Sequence, residues 1–128
     1  MKKVLVGLFL LLFFLFFIVF SQVFKSNTLS YELNNKSYKL LLADSPEEYA
    51  RGLMYVRKLN GADGMIFIFP DKQKRNFWNK NTLTNLDIYW LDDDKVVGKS
   101  FLPSIEQSKK IVTVSSPKPV NKVIELLR

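Results

Sequence analysis

An uninterrupted apolar run near the N-terminus constrains this chain more than any other feature. Val4 to Phe20 are 17 consecutive uncharged residues, and Gly7 is the only one that is not Val, Leu, Ile or Phe. As an α-helix extended to residue 24, the run spans about 31 Å, which matches a hydrocarbon core of about 30 Å. Two lysines precede it and hold that end on the cytoplasmic side. We therefore expect residues 1–24 to be a transmembrane anchor or signal segment that enters the membrane through residues 4–24.

The sequence leaves two fates open for this segment. Its length exceeds the usual signal-peptide core of about 7 to 15 residues, and its phenylalanines suit a retained anchor. Val19 and Ser21 are small enough for the positions that a signal peptidase reads, which is the alternative. A retained anchor predicts a single-pass membrane protein with a cytoplasmic N-terminus and an extracytoplasmic domain. Cleavage predicts a secreted or periplasmic domain.

Beyond the run, the composition is that of an ordinary soluble domain. We interpret residues 25–28 as a linker and residues 29–128 as one small domain, since about 100 residues support a single modest core. The net charge of +7 comes from basic residues scattered among acidic ones, with no run longer than two in this domain. Nucleic-acid-binding domains usually gather their Lys and Arg on one stripe. We therefore expect no nucleic-acid partner.

The chain contains neither Cys nor His, and this excludes several kinds of chemistry. Disulfides, thiol nucleophiles and thiolate metal sites all require Cys. Ser–His–Asp triads, imidazole-bound zinc and the usual general base at neutral pH all require His. We expect no metal and no cofactor, and an enzyme becomes less favoured. It is not excluded, because paired carboxylates hydrolyse glycosides without His.

Local patterns predict a mainly β domain with one short helix. Asn34-Asn35 separates two strands at 29–33 and 36–43, as in a tight hairpin. Ser45-Pro46-Glu47-Glu48 is a capping box that predicts a helix ending near residues 54–57. Turn residues, including Asp92-Asp93-Asp94, separate the later apolar segments, which predict strands at 65–69, 75–82, 86–91, 95–102, 111–114 and 120–127. Many short strands favour an antiparallel sandwich or a partly open barrel.

Four ordered blocks give the exported part a resemblance to a known family. They are Tyr49–Met54, Gly64–Phe67, Phe77–Thr82 and Leu86–Ile88, and Val123–Leu126 is similar to the family's late strand. Together they resemble the uncharacterised family called domain of unknown function 192, over about residues 29–126. The resemblance implies a small, mostly β domain, often behind a signal or anchor segment, with no established activity.

The sequence departs from the family pattern at two places. Asn79 stands where the family usually has Met, so an apolar contact is expected to be lost there. The chain stops at Arg128, whereas members typically run on through a Gly-containing tail and a last strand. An unpaired sheet edge is the expected consequence.

The segment Phe77–Thr82 is the first candidate for recognition. If it is extended, Trp78, Lys80 and Thr82 share one face. A ring beside an ammonium and a hydroxyl predicts a platform for stacking a sugar or binding an anion. The alternative is that Trp78 is a core residue and Lys80 a solvated neighbour.

Asp87 and Arg51 are the two charged candidates. Asp87 lies in an apolar strand, where its carboxylate needs a partner. An ion pair with Lys80 or Arg51, or hydrogen bonds from the backbone N–H groups of residues 83–85, would supply one. The functional alternative is a catalytic acid with a raised pKa. Arg51 is expected to pair with the glutamates of its own helix, or to reach Asp87 or an anionic ligand.

Three functions stay open on this evidence. The first is an exported, non-enzymatic module that binds a small polar ligand, a glycan or a partner protein through Arg51, Trp78, Lys80, Asn81 and Asp87. The second is a His-free hydrolase that pairs Asp87 with Glu125 or Glu106. The third is a structural or assembly role at the membrane.

Overall fold

The computed structural model describes residues 4, 6–7, 10–12 and 27–128. Apart from those few positions, the predicted membrane segment of residues 1–24 lies outside the described residues. Within the described part, no helix combines the length and hydrophobicity that crossing a bilayer requires.

Residues 27–128 form a mainly β domain, as predicted. Two helices interrupt the strands, α1 (Pro46–Arg51) and α2 (Ile105–Ser108). The eight strands are β1 (Thr28–Leu33), β2 (Lys36–Ala43), β3 (Gly64–Gln73), β4 (Asn76–Trp78), β5 (Leu86–Asp92), β6 (Lys95–Leu102), β7 (Thr113–Ser115) and β8 (Val120–Leu127).

Six strands form one mixed sheet in the order β1-β2-β3-β8-β5-β6, and β4 and β7 form a separate pair. The prediction of an antiparallel sandwich or partly open barrel was wrong in one respect, because the sheet is mixed. Strands β2 and β3 are parallel, since residues 44–63 give the chain enough length to cross back over the sheet. The sheet also ends at β1 on one side and β6 on the other, so it does not close. The last strand, β8, lies inside the sheet between β3 and β5.

Helix α1 begins where the capping box predicts and ends earlier than expected. The hydroxyl oxygen of Ser45 accepts a hydrogen bond from the backbone N–H of Glu48 at 3.3 Å, and Pro46 occupies the first turn. Gly52 adopts a φ of 49°, a left-handed value that glycine tolerates best, and its N–H bonds the carbonyl of Glu48. The helix therefore stops at Arg51, and residues 52–55 continue as turns.

The mixed sheet buries apolar side chains on both faces. One cluster includes Phe67, Ile88 and Trp90, and the opposite face includes Ile66 and Ile124. The pair β4–β7 and helix α1 pack on the side of the sheet that carries Phe67, Ile88 and Trp90, and we call this side the first face of the sheet. Partly buried side chains also pack against that cluster.

The predicted strand at 75–82 was wrong beyond Trp78. Strand β4 ends there, and Asn81 takes a left-handed φ of 55°. Asn79 is fully buried, its Nδ2 donates to the carbonyl of Pro103 at 2.9 Å, and its Oδ1 accepts from the N–H of Val112 at 2.8 Å. The side chain of Asn79 therefore connects the segment between β6 and β7 to the end of β4 through hydrogen bonds. The expectation at this position was only that an apolar contact would be lost. This segment also contains α2, which the sequence patterns did not predict.

Candidate functional site

A cavity of about 470 Å³ opens on the first face of the sheet, between α1, β3, β4 and β8. Its volume lies within the usual range for small-molecule sites, about 300 to 1,000 Å³. The lining residues share this position at the junction of the helix and the two sheets. They are Tyr49, Ala50, Arg51, Gly52, Leu53, Met54, Phe67, Phe69, Lys74, Arg75, Asn76, Phe77, Trp78, Thr82 and Glu125.

Glu125 is the buried polar group of this cavity. It lies in β8, opposite Met65 of β3 and Ile88 of β5, so its side chain projects from the centre of the sheet. Only 5% of the residue is exposed, and its Oε2 has no hydrogen-bond partner among the described residues. Burial without compensation raises the pKa of this carboxyl from 4.5 to about 8. At neutral pH Glu125 is therefore mostly a neutral carboxylic acid, able to donate one hydrogen bond and accept others.

Two glycines leave the space that the part of the cavity beside Glu125 requires. A Cβ on Gly64 would lie 1.9 Å from the backbone oxygen of Glu125, so only glycine lets β3 and β8 approach this closely. A Cβ on Gly52 would lie 3.4 Å from Cζ of Phe67 and 3.9 Å from Oε2 of Glu125. The bare Gly52 backbone therefore forms part of the wall beside the carboxyl.

Aromatic rings form the other walls. The ring of Phe77 meets the ring of Phe67 edge to face, with centroids 4.9 Å apart, and Phe69 lies nearly parallel to Phe67 at 6.4 Å. Tyr49 of α1 packs against Phe69 at 4.5 Å. The buried ring of Trp90 packs against the ring of Phe77, with ring centroids 5.6 Å apart. These rings pack against one another, and such contacts stabilise the walls of the cavity.

Basic side chains also line the cavity. Arg51 comes from the end of α1, and Lys74 and Arg75 come from the connection between β3 and β4. The guanidinium of Arg75 stacks 3.8 Å above the ring of Phe69 and forms an ion pair with Asp71 at 2.8 Å. The charge of Arg75 is thus largely compensated within the protein, whereas Lys74 is exposed.

The structure brings together only part of the predicted recognition set. Arg51 and Trp78 line the cavity, and the ammonium of Lys80 lies 5.3 Å from the centre of the Trp78 ring. Trp78 is 50% exposed, so the alternative that it is a core residue was wrong. Asn81 occupies the following turn, where its carbonyl accepts a hydrogen bond from the N–H of Tyr55.

Asp87 lies on the opposite face of the sheet from the cavity. It is the cross-strand partner of Leu126, and Glu125, the residue before Leu126 in β8, projects the other way. An ion pair for Asp87 was expected, but its partners are Lys99 at 3.5 Å and Arg128 at 3.9 Å rather than Lys80 or Arg51.

Among the residues that the structure describes, Asp87 forms the predicted catalytic pair with neither Glu125 nor Glu106. Asp87 and Glu125 lie on opposite faces of one sheet. Glu106 is exposed and pairs with Arg57 at 2.6 Å. Within the lining that the structure describes, Glu125 is the only carboxylate.

Sequence reasoning missed the aromatic walls and placed Glu125 only as a possible second carboxylate. A signal was present, since Glu125 stands between Ile124 and Leu126 in an otherwise apolar strand, as Asp87 does in its own strand. Phe67 and Phe77 belong to strands with strong apolar character, and nothing in their local pattern separates a cavity wall from a core residue.

The family comparison matches residues 29–128, the whole β domain, with the family DUF192, described as "Uncharacterized ACR". The chain belongs to the DUF192 family. A comparison with curated proteins gives no significant match. Part of the blocks that carry the resemblance to DUF192 lines the cavity, namely Tyr49–Met54, Phe67, Phe77, Trp78, Thr82 and Glu125, whereas Leu86–Ile88 does not.

Two solved structures are similar to this DUF192 domain. One is a protein from Sinorhizobium meliloti 1021 proposed to be a transcription regulator, with a TM-score of 0.61 and 27% identity, covering 77% of this chain and 76% of that one. The other is a protein of unknown function from Novosphingobium aromaticivorans DSM 12444, with a TM-score of 0.64 and 23% identity, covering 80% and 73%. The second likeness concerns the fold alone.

Proposed function

We propose that this DUF192 domain is a non-enzymatic binding module that takes a small organic ligand into the cavity on the first face of the sheet. The observation that carries the proposal is Glu125. Its Oε2 is buried without a hydrogen-bond partner among the described residues and lies beside a cavity of about 470 Å³. A buried polar atom without a partner costs about 1 to 3 kcal/mol. A ligand that supplies the missing hydrogen bond would recover that free energy on binding.

The surroundings of Glu125 support binding rather than hydrolysis. Glycoside hydrolysis by carboxylates needs a second acidic group about 5 to 9.5 Å from the first. Asp87 projects from the other face, and Glu106 is engaged by Arg57 at the surface. A buried acid with a raised pKa is compatible with proton transfer, but the described lining offers no second acidic group to complete a reaction.

We also propose that this module lies outside the cytoplasm and that a membrane anchor holds it there. The apolar run of residues 4–20, its preceding lysines and the polar residues that follow support this location. The +5 formal charge that remains after Lys2 and Lys3 are set aside would favour approach to an anionic membrane surface.

The proposal is tested by a thermal-shift screen of the full-length chain, kept soluble in detergent, against a chemically mixed library of small polar and ring-containing compounds. A ligand at a hundredfold excess over its Kd stabilises the folded state by about 2.7 kcal/mol. We expect hits whose stabilisation falls sharply in Glu125→Leu, which removes the hydrogen-bonding group, and in Trp78→Ala, which removes an aromatic part of the lining.

The matched control is Phe101→Ala, which removes an exposed aromatic ring outside the cavity lining. Hits should stabilise this variant as much as the unaltered chain. A library without hits, or hits that are insensitive to Glu125→Leu and Trp78→Ala, would contradict the binding function. The absence of binding would favour the structural or assembly role instead.

A further inference from the structure

Most of the large apolar side chains that are exposed in residues 27–128 lie in one group of loops. Four such side chains are exposed there, and three of them are Tyr55, Trp78 and Ile111, with exposures of 71%, 50% and 51%. The fourth, Phe101, lies on the opposite face of the sheet with its cross-strand partner Asp87. Single exposed apolar side chains are normal, whereas a group of them marks a contact surface.

Backbone contacts bring the segments of Trp78 and Ile111 together. The N–H of Asn79 donates to the carbonyl of Val112 at 3.1 Å, which continues the antiparallel pairing of β4 with β7 by one position. Lys80 and Ile111 are the next residues along the two segments, so they come from adjoining positions. The ammonium of Lys80 also lies 5.3 Å from the centre of the Trp78 ring.

Tyr55 joins this group from the loop after α1. Its N–H donates to the carbonyl of Asn81 at 2.8 Å, which fixes it beside Lys80. Its φ of 62° is a left-handed value that a bulky residue rarely adopts. Backbone strain of this kind persists where the surrounding structure imposes it, and it is common at binding sites. The fold therefore holds this ring in solvent at a cost in backbone conformation.

Three exposed lysines accompany the apolar side chains. Lys80 lies beside Trp78, and Lys109 and Lys110 directly precede Ile111 in the sequence. The ion pairs that lysines form within residues 27–128 engage other positions, namely Lys72, Lys99, Lys118 and Lys122. The ammonium groups of the first three are thus available to an external anion. We call the six residues the basic apolar patch: Tyr55, Trp78, Lys80, Lys109, Lys110 and Ile111.

An anionic bilayer surface matches the chemistry of this patch. Trp and Tyr rings favour the boundary between lipid headgroups and hydrocarbon. Lysine extends its apolar stem along such a boundary and keeps its ammonium beside the headgroups. A second copy of this chain fits less well, because a symmetric contact would bring the two sets of lysines together. The short linker of residues 25–28 would also keep the domain close to the membrane that the apolar run is predicted to enter.

We propose that the basic apolar patch docks on the anionic surface of the bilayer to which the chain is tethered. Tyr55, Trp78 and Ile111 then lie at the headgroup boundary, and the three lysines contact lipid phosphates. This inference goes beyond the ligand of the cavity and rests on the proposed membrane anchor. Trp78 also lines the cavity, so docking places the cavity opening next to lipid.

Tryptophan fluorescence tests the docking on the full-length chain reconstituted in vesicles. The vesicles contain phosphatidylcholine brominated near the headgroup end of one acyl chain, with or without anionic phosphatidylglycerol, and bromine quenches only rings close to it. The chain has two tryptophans, and Trp90 is fully buried, so quenching reports on Trp78. We expect strong quenching in the anionic vesicles, little in the neutral ones, and none in Trp78→Phe. Raising the salt from about 0.1 M to about 1 M should reduce the quenching, since the screening length falls from about 10 Å to about 3 Å.

Lysine-removing variants locate the charged part of the contact. Each lysine near an anionic surface contributes about 1 kcal/mol, or about fivefold in the docking equilibrium constant. Replacing all three patch lysines with Gln should therefore weaken docking about a hundredfold and lower the quenching to its value in neutral vesicles. The control variant has the same net charge and carries Gln at three exposed lysines outside the patch, Lys36, Lys39 and Lys95. Its quenching should equal that of the unaltered chain.

A second pair of variants tests the apolar part. Tyr55→Asn combined with Ile111→Ser removes two exposed apolar side chains, and Asn tolerates the left-handed backbone at the first position. We expect the quenching of Trp78 to fall several-fold. Phe101→Ser, which removes an exposed ring outside the patch, is the control and should change nothing.

The possible failures are distinct. Equal quenching in neutral and anionic vesicles, or an equal loss in the patch and control lysine variants, would overturn the inference and favour a protein partner for the patch. A chain that does not float with neutral vesicles would overturn the anchor and the docking together. The ligand of the cavity is decided separately by the thermal-shift screen.

Discussion

At the scale of single residues, burial decides what Glu125 is. A glutamate on a solvent-facing strand would be an ordinary anion, but here both neighbouring strands and the cavity walls remove water from its carboxyl. Asp87 lies on the same sheet and keeps contact with two cations at the opposite face. The two carboxyl groups therefore have different environments, although the sequence places each between apolar residues.

Glu125 predicts a specific dependence of stability on pH. Its pKa is about 8 in the folded chain against an ordinary 4.5, so between these values the folded state holds a proton that the unfolded state releases. Its contribution to the free energy of unfolding therefore falls as pH rises through this window, by up to about 1.4 kcal/mol per pH unit. Below pH 4.5 both states are protonated, and above about pH 8 both are ionised, so the contribution is level there.

Urea denaturation of the full-length chain from pH 4 to pH 9 checks this. Glu125→Gln has no proton to lose, so its stability relative to the unaltered chain should increase with pH across the window. Glu47→Gln, at an exposed glutamate of α1, is the control and should follow the unaltered chain. Parallel curves for Glu125→Gln and the unaltered chain would show that the pKa of Glu125 is the same in the folded and unfolded states, and would contradict the raised pKa.

At the scale of elements, long-range contacts decide which segments enclose the cavity. The helix predicted from the capping box stands between two apolar strands, and this order is typical of a parallel crossover. That crossover carries α1 over the first face, where Tyr49, Arg51 and Gly52 become lining residues. The segment between β6 and β7 is fixed by the side chain of Asn79, whose partners come from 24 to 33 positions further along the chain.

Asn79→Leu is expected to lower the free energy of unfolding by about 1 to 3 kcal/mol for each backbone group left without a partner. Leucine has a similar size but cannot bond the carbonyl of Pro103 or the N–H of Val112, and both contacts are lost. Urea denaturation measures the change, with Asn60→Ala at an exposed position as the control. Unchanged stability in Asn79→Leu would mean that the segment is held mainly by apolar packing, as the family's usual Met implies.

At the scale of the whole molecule, the apolar run in the N-terminal sequence predicts where the domain operates. Each central residue of the apolar run favours insertion by about 0.3 to 0.6 kcal/mol, which sums to about 6 kcal/mol over the run. The fold of residues 29–128 is compatible with either a retained anchor or cleavage, since it has its own core.

A reporter fused after Arg128 tests the location. We expect alkaline phosphatase, which is active only after export, to be active in this fusion, and a fluorescent protein that matures only in the cytosol to be dark. Leu12→Lys with Phe16→Lys should reverse both results, because two charges cost about 3 kcal/mol each and offset the insertion energy. Leu12→Val with Phe16→Leu is the matched control. A bright fluorescent fusion of the unaltered chain would contradict export.

The sequence by itself determined the local features of this protein. The Asn34-Asn35 turn, the start of α1 and the strands at 95–102 and 120–127 were all predicted, and the order of the blocks was sufficient for the family. These features depend on neighbouring residues, through turn chemistry, capping and alternation of apolar side chains. The absence of Cys and His from the sequence also limited the possible chemistry before any fold was known.

Only the tertiary structure decided strand pairing, and with it the site. Whether β2 meets β3 in a parallel or an antiparallel manner depends on the path of the chain through space. The parallel pairing goes with a crossover whose residues line the same cavity as Glu125 of β8. Register then sends Glu125 into the cavity and Asp87 to the other face, a difference that a shift of one residue would reverse. The candidate site consists of contacts between distant segments, so their separate patterns could supply its residues but not their arrangement.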